Sequence, residues 1–117
     1  MDPEVRAALE RELRELARDF AAKLPARLAE IRHAWQQAEA AAWTAGPSDT
    51  LYRHCHSLAG AGGTFGFNEV GAAARTLTDW LKRARDRPGE RVEAEGLALL
   101  AELGRTVAAV AGSPGEN

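Results

Sequence analysis

Apolar side chains recur along this chain at the spacing of one helical face, and nowhere do they alternate with period two. Counting about 100° per residue, Val5, Leu9, Leu13, Leu16 and Phe20 share one side of a helix. That helix opens at Asp2–Pro3, a capping residue followed by proline at the first helical position, and is expected to run to about Ala22. Pro25 lacks a backbone donor, so a kink or short break is expected near Lys23–Leu24, with Pro25 beginning a second helix. Its stripe is Leu24, Leu28, Ile31, Trp35, Ala38 and Ala42, and Trp43–Thr44–Ala45–Gly46–Pro47 reads as its stop. A third helix, capped by Ser48 or Asp49, carries the seam Leu51, Cys55, Leu58, Gly62 and Phe65. Gly66–Phe67–Asn68 breaks it, and Asn68 is the expected cap of a fourth helix with Val70, Ala74, Leu77, Leu81 and Ala84 in line. Asp86–Arg87–Pro88–Gly89 reads as a turn. A fifth helix from about Glu90 to Ala111 offers Val92, Leu100, Leu103, Val107 and Val110. The pattern predicts an all-α fold: an antiparallel up-down four-helix bundle with an additional N-terminal covering helix. Residues 1–111 are expected to form one domain and 112–117 a flexible tail.

Composition narrows the class. Of 117 residues, 45% are hydrophobic, enough to bury a core, and alanine and leucine dominate them, which favours helix over sheet. Fifteen Lys and Arg against 17 Asp and Glu leave a net charge of −2, without the basic surplus of a general nucleic-acid binder. No apolar run approaches the roughly 20 residues of a membrane span, and the charged N-terminus is not a signal peptide. A soluble, cytoplasmic protein is expected, with neither nucleic acid nor membrane as partner. The lone Cys55 excludes an internal disulfide and a cysteine zinc cluster. It lies on the seam of its helix, where a thiol is ordinarily inert packing. His54, Cys55 and His56 point about 100° apart in turn and cannot converge on one ion; chelation on a helix uses i,i+4 spacing. There is no Gly-rich loop with a following Lys to cradle a nucleotide. No metal and no cofactor are expected.

The third helix is unusual. Gly60, Gly62 and Gly63 lie within it, each costing roughly 1 kcal/mol relative to alanine. His56 projects about 140° from the apolar seam and should face solvent. Tyr52, Ala59, Gly60 and Gly63 are placed on the same outward face, so that small residues clear the surface around one imidazole. Close approach by another protein would account for this. Gly62, on the inner seam, is expected to allow close helix packing instead. His54, about 60° from the seam, is expected to be half-buried at the core edge, His33 to be an ordinary surface residue and Trp35 to be core. Trp43 and Trp80 are placed nearer the helix edges, at the bundle ends.

These residues resemble a known family. His56-Ser57-Leu58-Ala59-Gly60, with Gly66 ten residues after the histidine, is similar to the signature of histidine-containing phosphotransfer (HPt) domains. The run Gly62-Gly63-Thr64-Phe65-Gly66-Phe67, the flanking Leu24-Pro25-Ala26-Arg27-Leu28 and the alanines at 72–74 fit as well. The resemblance covers roughly residues 15–110. It implies a phosphorelay intermediate in which His56 accepts a phosphoryl group from the aspartyl phosphate of a receiver domain and passes it on. It also implies no kinase activity of the chain's own, and Mg²⁺ supplied by the receiver. The implied partners are a response-regulator receiver domain, a hybrid histidine kinase, or both, with the chain itself a monomer. The family's usual Lys three residues after the histidine is Ala59 here. Such a cation would offset the charge of about −1.5 to −2 on a phosphoryl group, and Arg53 or Lys82 are the candidates to replace it. The missing lysine admits an alternative, an HPt-like module that binds a receiver or another partner without carrying phosphate.

Overall fold

The computed structural model describes residues 1–111, so the tail expected at 112–117 lies outside the described residues. The regular elements are four α-helices and one short 3₁₀ turn: α1 (Pro3–Ala40), α2 (Ala45–Thr64), α3 (Asn68–Asp86), the turn at Pro88–Glu90, and α4 (Glu93–Ala111). Each helix packs on its chain neighbours, and α1 closes the ring against α4. Connections this short force each helix to run back along the one before it, giving the up-down order.

The first two expected helices are one. Asp2 Oδ1 accepts from the Glu4 backbone N–H at 2.8 Å, Pro3 occupies the first turn, and the helix then continues for 38 residues. At about 1.5 Å per residue this is roughly 57 Å, which matches the longest dimension of the molecule, 56 Å. Pro25 lies inside it without a break. A proline there costs about 3 kcal/mol in an isolated helix. Leu24, Leu28 and Ile31 on either side of it are buried, and that burial holds the two halves in line. Nor does the N-terminal part cover the bundle. Val5, Leu9, Leu13 and Leu16 are about half-exposed, and α1 enters the core only from Phe20. The other helices are about half as long, so the first turns of α1 extend past them.

Helix boundaries shift in three further places. Between α1 and α2 the chain turns at Ala41–Trp43, with Ala42 and Trp43 both at positive φ (53° and 61°) and the Trp43 N–H bonded to the Ala38 carbonyl at 2.7 Å. Gly46 and Pro47 therefore belong to the first turn of α2, where the missing proline donor costs nothing, and Thr44 takes the cap position instead of Ser48 or Asp49. Phe67 precedes α3 in place of Asn68, which is the first residue of that helix. α4 starts at Glu93, after the 3₁₀ turn.

One core runs through the bundle. Leu24, Ile31, Leu51, Cys55, Leu58, Val70, Leu77 and Leu103 are fully buried in it. Thr78, a buried polar side chain beside this core, donates to the Ala74 carbonyl at 2.7 Å. At the α1–α2 corner Trp35 stacks on Trp80 (centroids 5.5 Å apart) and meets Trp43 edge-on at 4.9 Å. Trp80 is thus core, whereas Trp43 is half-buried.

Candidate functional site

The site is built on the middle of α2, and its form follows from the contact of α2 with α3. A methyl group on Gly62 would lie 2.9 Å from both the Cα and the N of Gly71, and one on Gly71 would lie 3.1 Å from the Gly63 nitrogen. The two backbones touch there, which only glycine permits, and Gly62 has the packing role expected of it. Gly66 then ends the helix at φ +84°. The Gly66 N–H bonds to the Gly63 carbonyl and the Phe67 N–H to the Gly62 carbonyl, at 3.3 and 2.8 Å, the paired reverse bonds that stop a helix on a left-handed residue. The glycine ten residues after His56 is therefore a helix stop.

His56 is exposed, as are Gly60 and Gly63 one and two turns further on, and a methyl group on either glycine would meet nothing within 4 Å. The clearing beside the imidazole is open. Tyr52, one turn earlier and half-buried, lies nearly parallel to the His56 ring, at 8° and 5.8 Å between centroids. The Arg85 guanidinium of α3 sits 5.4 Å from the Tyr52 ring centre. On the α1 side, Arg27 Nη2 donates to the Ser57 hydroxyl at 2.9 Å and its guanidinium lies over Phe20.

Ala59 does not belong to this face. It is 5% exposed, held under α3, and its carbonyl lies 3.3 Å from where a Gly71 methyl would be. The close Gly62–Gly71 approach brings α3 down over a wider arc of α2 than the apolar seam marks. A lysine at 59 would have to run its stem out along α3 to reach solvent. Arg53 is exposed, but its Nη2 is turned back toward the Thr50 hydroxyl, 3.5 Å away, and not toward His56. Lys82 is exposed on α3. The guanidinium groups that touch neighbours of the histidine, Arg27 on Ser57 and Arg85 over Tyr52, are not the expected pair. Arg27 stood in the flanking motif, and Arg85 is three residues from Lys82 on the same side of its helix. What joins them to the site is packing between helices, which leaves no periodic mark in the sequence.

The other histidines are differently placed. His54 is half-buried with Nδ1 3.7 Å from Glu30 Oε2, and His33 is exposed on α1. Cys55 is buried on the inner side of α2, and desolvation pushes its thiol up to about 12, leaving it protonated and inert at neutral pH. Among the described residues no three His, Cys, Asp or Glu side chains gather as metal ligands would, and no described helix is long and apolar enough to cross a membrane.

A helical bundle that presents an imidazole beside open glycines has the architecture of a phosphotransfer domain. The family model described as Hpt domain matches residues 15–111, and the chain belongs to that family. The role that goes with it is histidine phosphotransfer in two-component signalling, in which Hpt domains interact with receiver domains and histidine kinases. No curated protein and no solved structure matches the chain.

Proposed function

We propose that the protein is a phosphorelay intermediate whose phospho-acceptor is His56. The observation that carries this reading is the exposed imidazole beside Gly60 and Gly63, where added side chains would find open space. A ring nitrogen of neutral imidazole gives its electron pair to the phosphorus of a receiver's aspartyl phosphate. The P–O bond to the aspartyl carboxylate breaks, and that carboxylate leaves on the receiver. Such transfer needs positioning and charge stabilisation more than covalent help from the protein. Tyr52 holds the imidazole plane by stacking. Arg27, bonded to the adjacent Ser57, and Arg85, over Tyr52, supply the positive charge that Ala59 cannot. The Gly60–Gly63 surface is the docking face, and the receiver seated there excludes water from the reacting groups.

Transfer from a phosphorylated receiver tests the reading. His56→Gln is expected to abolish transfer with an unchanged thermal melt, since the side chain is exposed, while His54→Gln retains it. Receiver binding without any transfer would establish the alternative, a docking module that carries no phosphate. Transfer lost in His54→Gln and kept in His56→Gln would overturn the assignment of the acceptor.

A further inference from the structure

Val5, Leu9, Leu13 and Leu16 line one side of the part of α1 that projects past the other helices, and each is about half-exposed. Together they leave on the order of 300–400 Å² of apolar surface in water, the size at which a patch marks an interaction site. The stripe is continuous with the core. The next residue along it, Phe20, is buried against the Phe65 and Phe67 rings. The bundle therefore stands on the side that the stripe faces, and its end, where α2 turns into α3, forms a step beneath the projecting arm. What fits above that step is a rod of about 15 residues, roughly 22 Å long.

Among the described residues nothing covers this stripe. The sequence after Ala111, Gly-Ser-Pro-Gly-Glu-Asn, has no large apolar side chain to lay on it. A second copy of the chain supplies a rod of the matching length with the same apolar face. Two arms paired in parallel would drive both bundles into one space, because each bundle lies beneath its own stripe. Paired antiparallel, each bundle lies beyond the other copy's N-terminus. Charge selects the same arrangement. Arg6 and Glu10 lie on one flank of the stripe, about 60° and 100° round from its centre, and Glu12 lies on the other. An antiparallel pair turns each flank toward its own counterpart, so Arg6 meets the second copy's Glu10 and Glu10 meets the second copy's Arg6. Among the described residues neither is ion-paired within the chain.

We infer that the projecting arm of α1 is a self-association surface, on which a second copy lays its own arm antiparallel, Leu9 on Leu9 at the twofold axis and Val5 on Leu13. In that register Asp2 of one copy reaches Leu16 of the other, just short of the bundle end, so the step is filled and not overrun. The Arg27–Ser57 bond places His56 alongside residue 27 of α1, roughly 16 Å down the bundle from Leu16, so both imidazoles stay open in the pair. The area buried falls below the roughly 1,200 Å² of stable interfaces, and the dimer is correspondingly weak. The chain is then a monomer when dilute, where the family resemblance implies one throughout.

The test is sedimentation velocity of the full chain at low salt, from about 1 to 500 µM, where a reversible dimer with a dissociation constant of about 10–100 µM is expected. Leu9→Glu is expected to weaken it by at least about tenfold. Leu97→Glu, at an equally exposed leucine of α4, is expected to leave it unchanged. Arg6→Glu is expected to weaken it about threefold or more, and Arg6→Glu with Glu10→Arg to restore it. Cross-linking reads the direction, since Cys55 is buried. Leu9→Cys is expected to form an interchain disulfide on oxidation, whereas Val5→Cys, about 12 Å from its counterpart, is not. Circular dichroism checks that each variant is folded. A monomer throughout, full association of folded Leu9→Glu, equal loss in Leu97→Glu, no recovery in the charge-swapped chain, or self-cross-linking of Val5→Cys would overturn the proposal.

Discussion

A methyl group at position 60 or 63 would meet no atom within 4 Å, yet both positions carry glycine in mid-helix. Folding gains nothing from these residues. Gly60→Ala and Gly63→Ala are expected to stabilise the protein by about 0.5–1 kcal/mol each, measured by urea unfolding. Gly63→Glu is expected to weaken receiver binding by about tenfold or more while leaving the melting temperature nearly unchanged. Receiver binding at full strength in Gly63→Glu would remove the docking face from this part of α2. Cys55 gives a second test at this scale. Burial lifts the thiol from its usual value near 9 to about 12, so above pH 9 the unfolded chain releases a proton that the folded chain keeps. The stability that follows is complete below pH 9 and falls as pH rises toward 12, by up to about 1.4 kcal/mol per unit. Between pH 8 and about pH 10, the unfolding free energy from urea titrations is expected to drop by about 1 kcal/mol more in the parent protein than in Cys55→Ala. The location of His56 and the burial of Cys55 were both legible in the sequence, because a helix seam assigns inside and outside to residues far from its edges. Ala59 was misplaced for the converse reason. It lies near the seam's edge, where the width of the neighbouring helix, and not the angle, decides burial.

Between elements, the contact that shapes the site is the one at Gly62 and Gly71. Gly62→Ala puts a methyl 2.9 Å from backbone atoms of α3, which cannot rotate aside as a side chain would. Gly62→Ala and Gly71→Ala are expected to cost about 1–3 kcal/mol, read as lowered thermal midpoints beside a raised one for Gly60→Ala. Unchanged midpoints would mean that α2 and α3 separate at no cost. The spacing of glycine on the seam made Gly62 readable, but Gly71 bears no such mark and its role emerges only from its partner. Pro25 shows the limit of local rules. A proline is a sound signal for a helix end, and burial of Leu24, Leu28 and Ile31 overrides it. The caps failed similarly: Thr44 and Phe67 precede α2 and α3 without a side-chain cap bond, so nothing in the sequence marked those starts.

Across the whole molecule, the first turns of α1 bury little of their apolar stripe against the bundle. The four-helix order was legible because each stripe needs a partner face, whereas the stripe of Val5, Leu9, Leu13 and Leu16 suggested a cover that does not form. The family match starts at residue 15, after most of these turns. Deleting residues 2–13 is expected to change unfolding free energy by less than about 1 kcal/mol and to leave phosphotransfer intact. A larger loss would show that the first turns pack on the bundle after all. The central claim concerns one bond, between a nitrogen of His56 and phosphorus. The most direct measurement is the site of phosphate on the protein after incubation with a phosphorylated receiver, by mass spectrometry of peptides prepared without acid. The account predicts one phosphoryl group, acid-labile, on the peptide containing His56, and none in His56→Gln. Phosphate on His33 or His54, or acid-stable phosphate on Ser57, would contradict it.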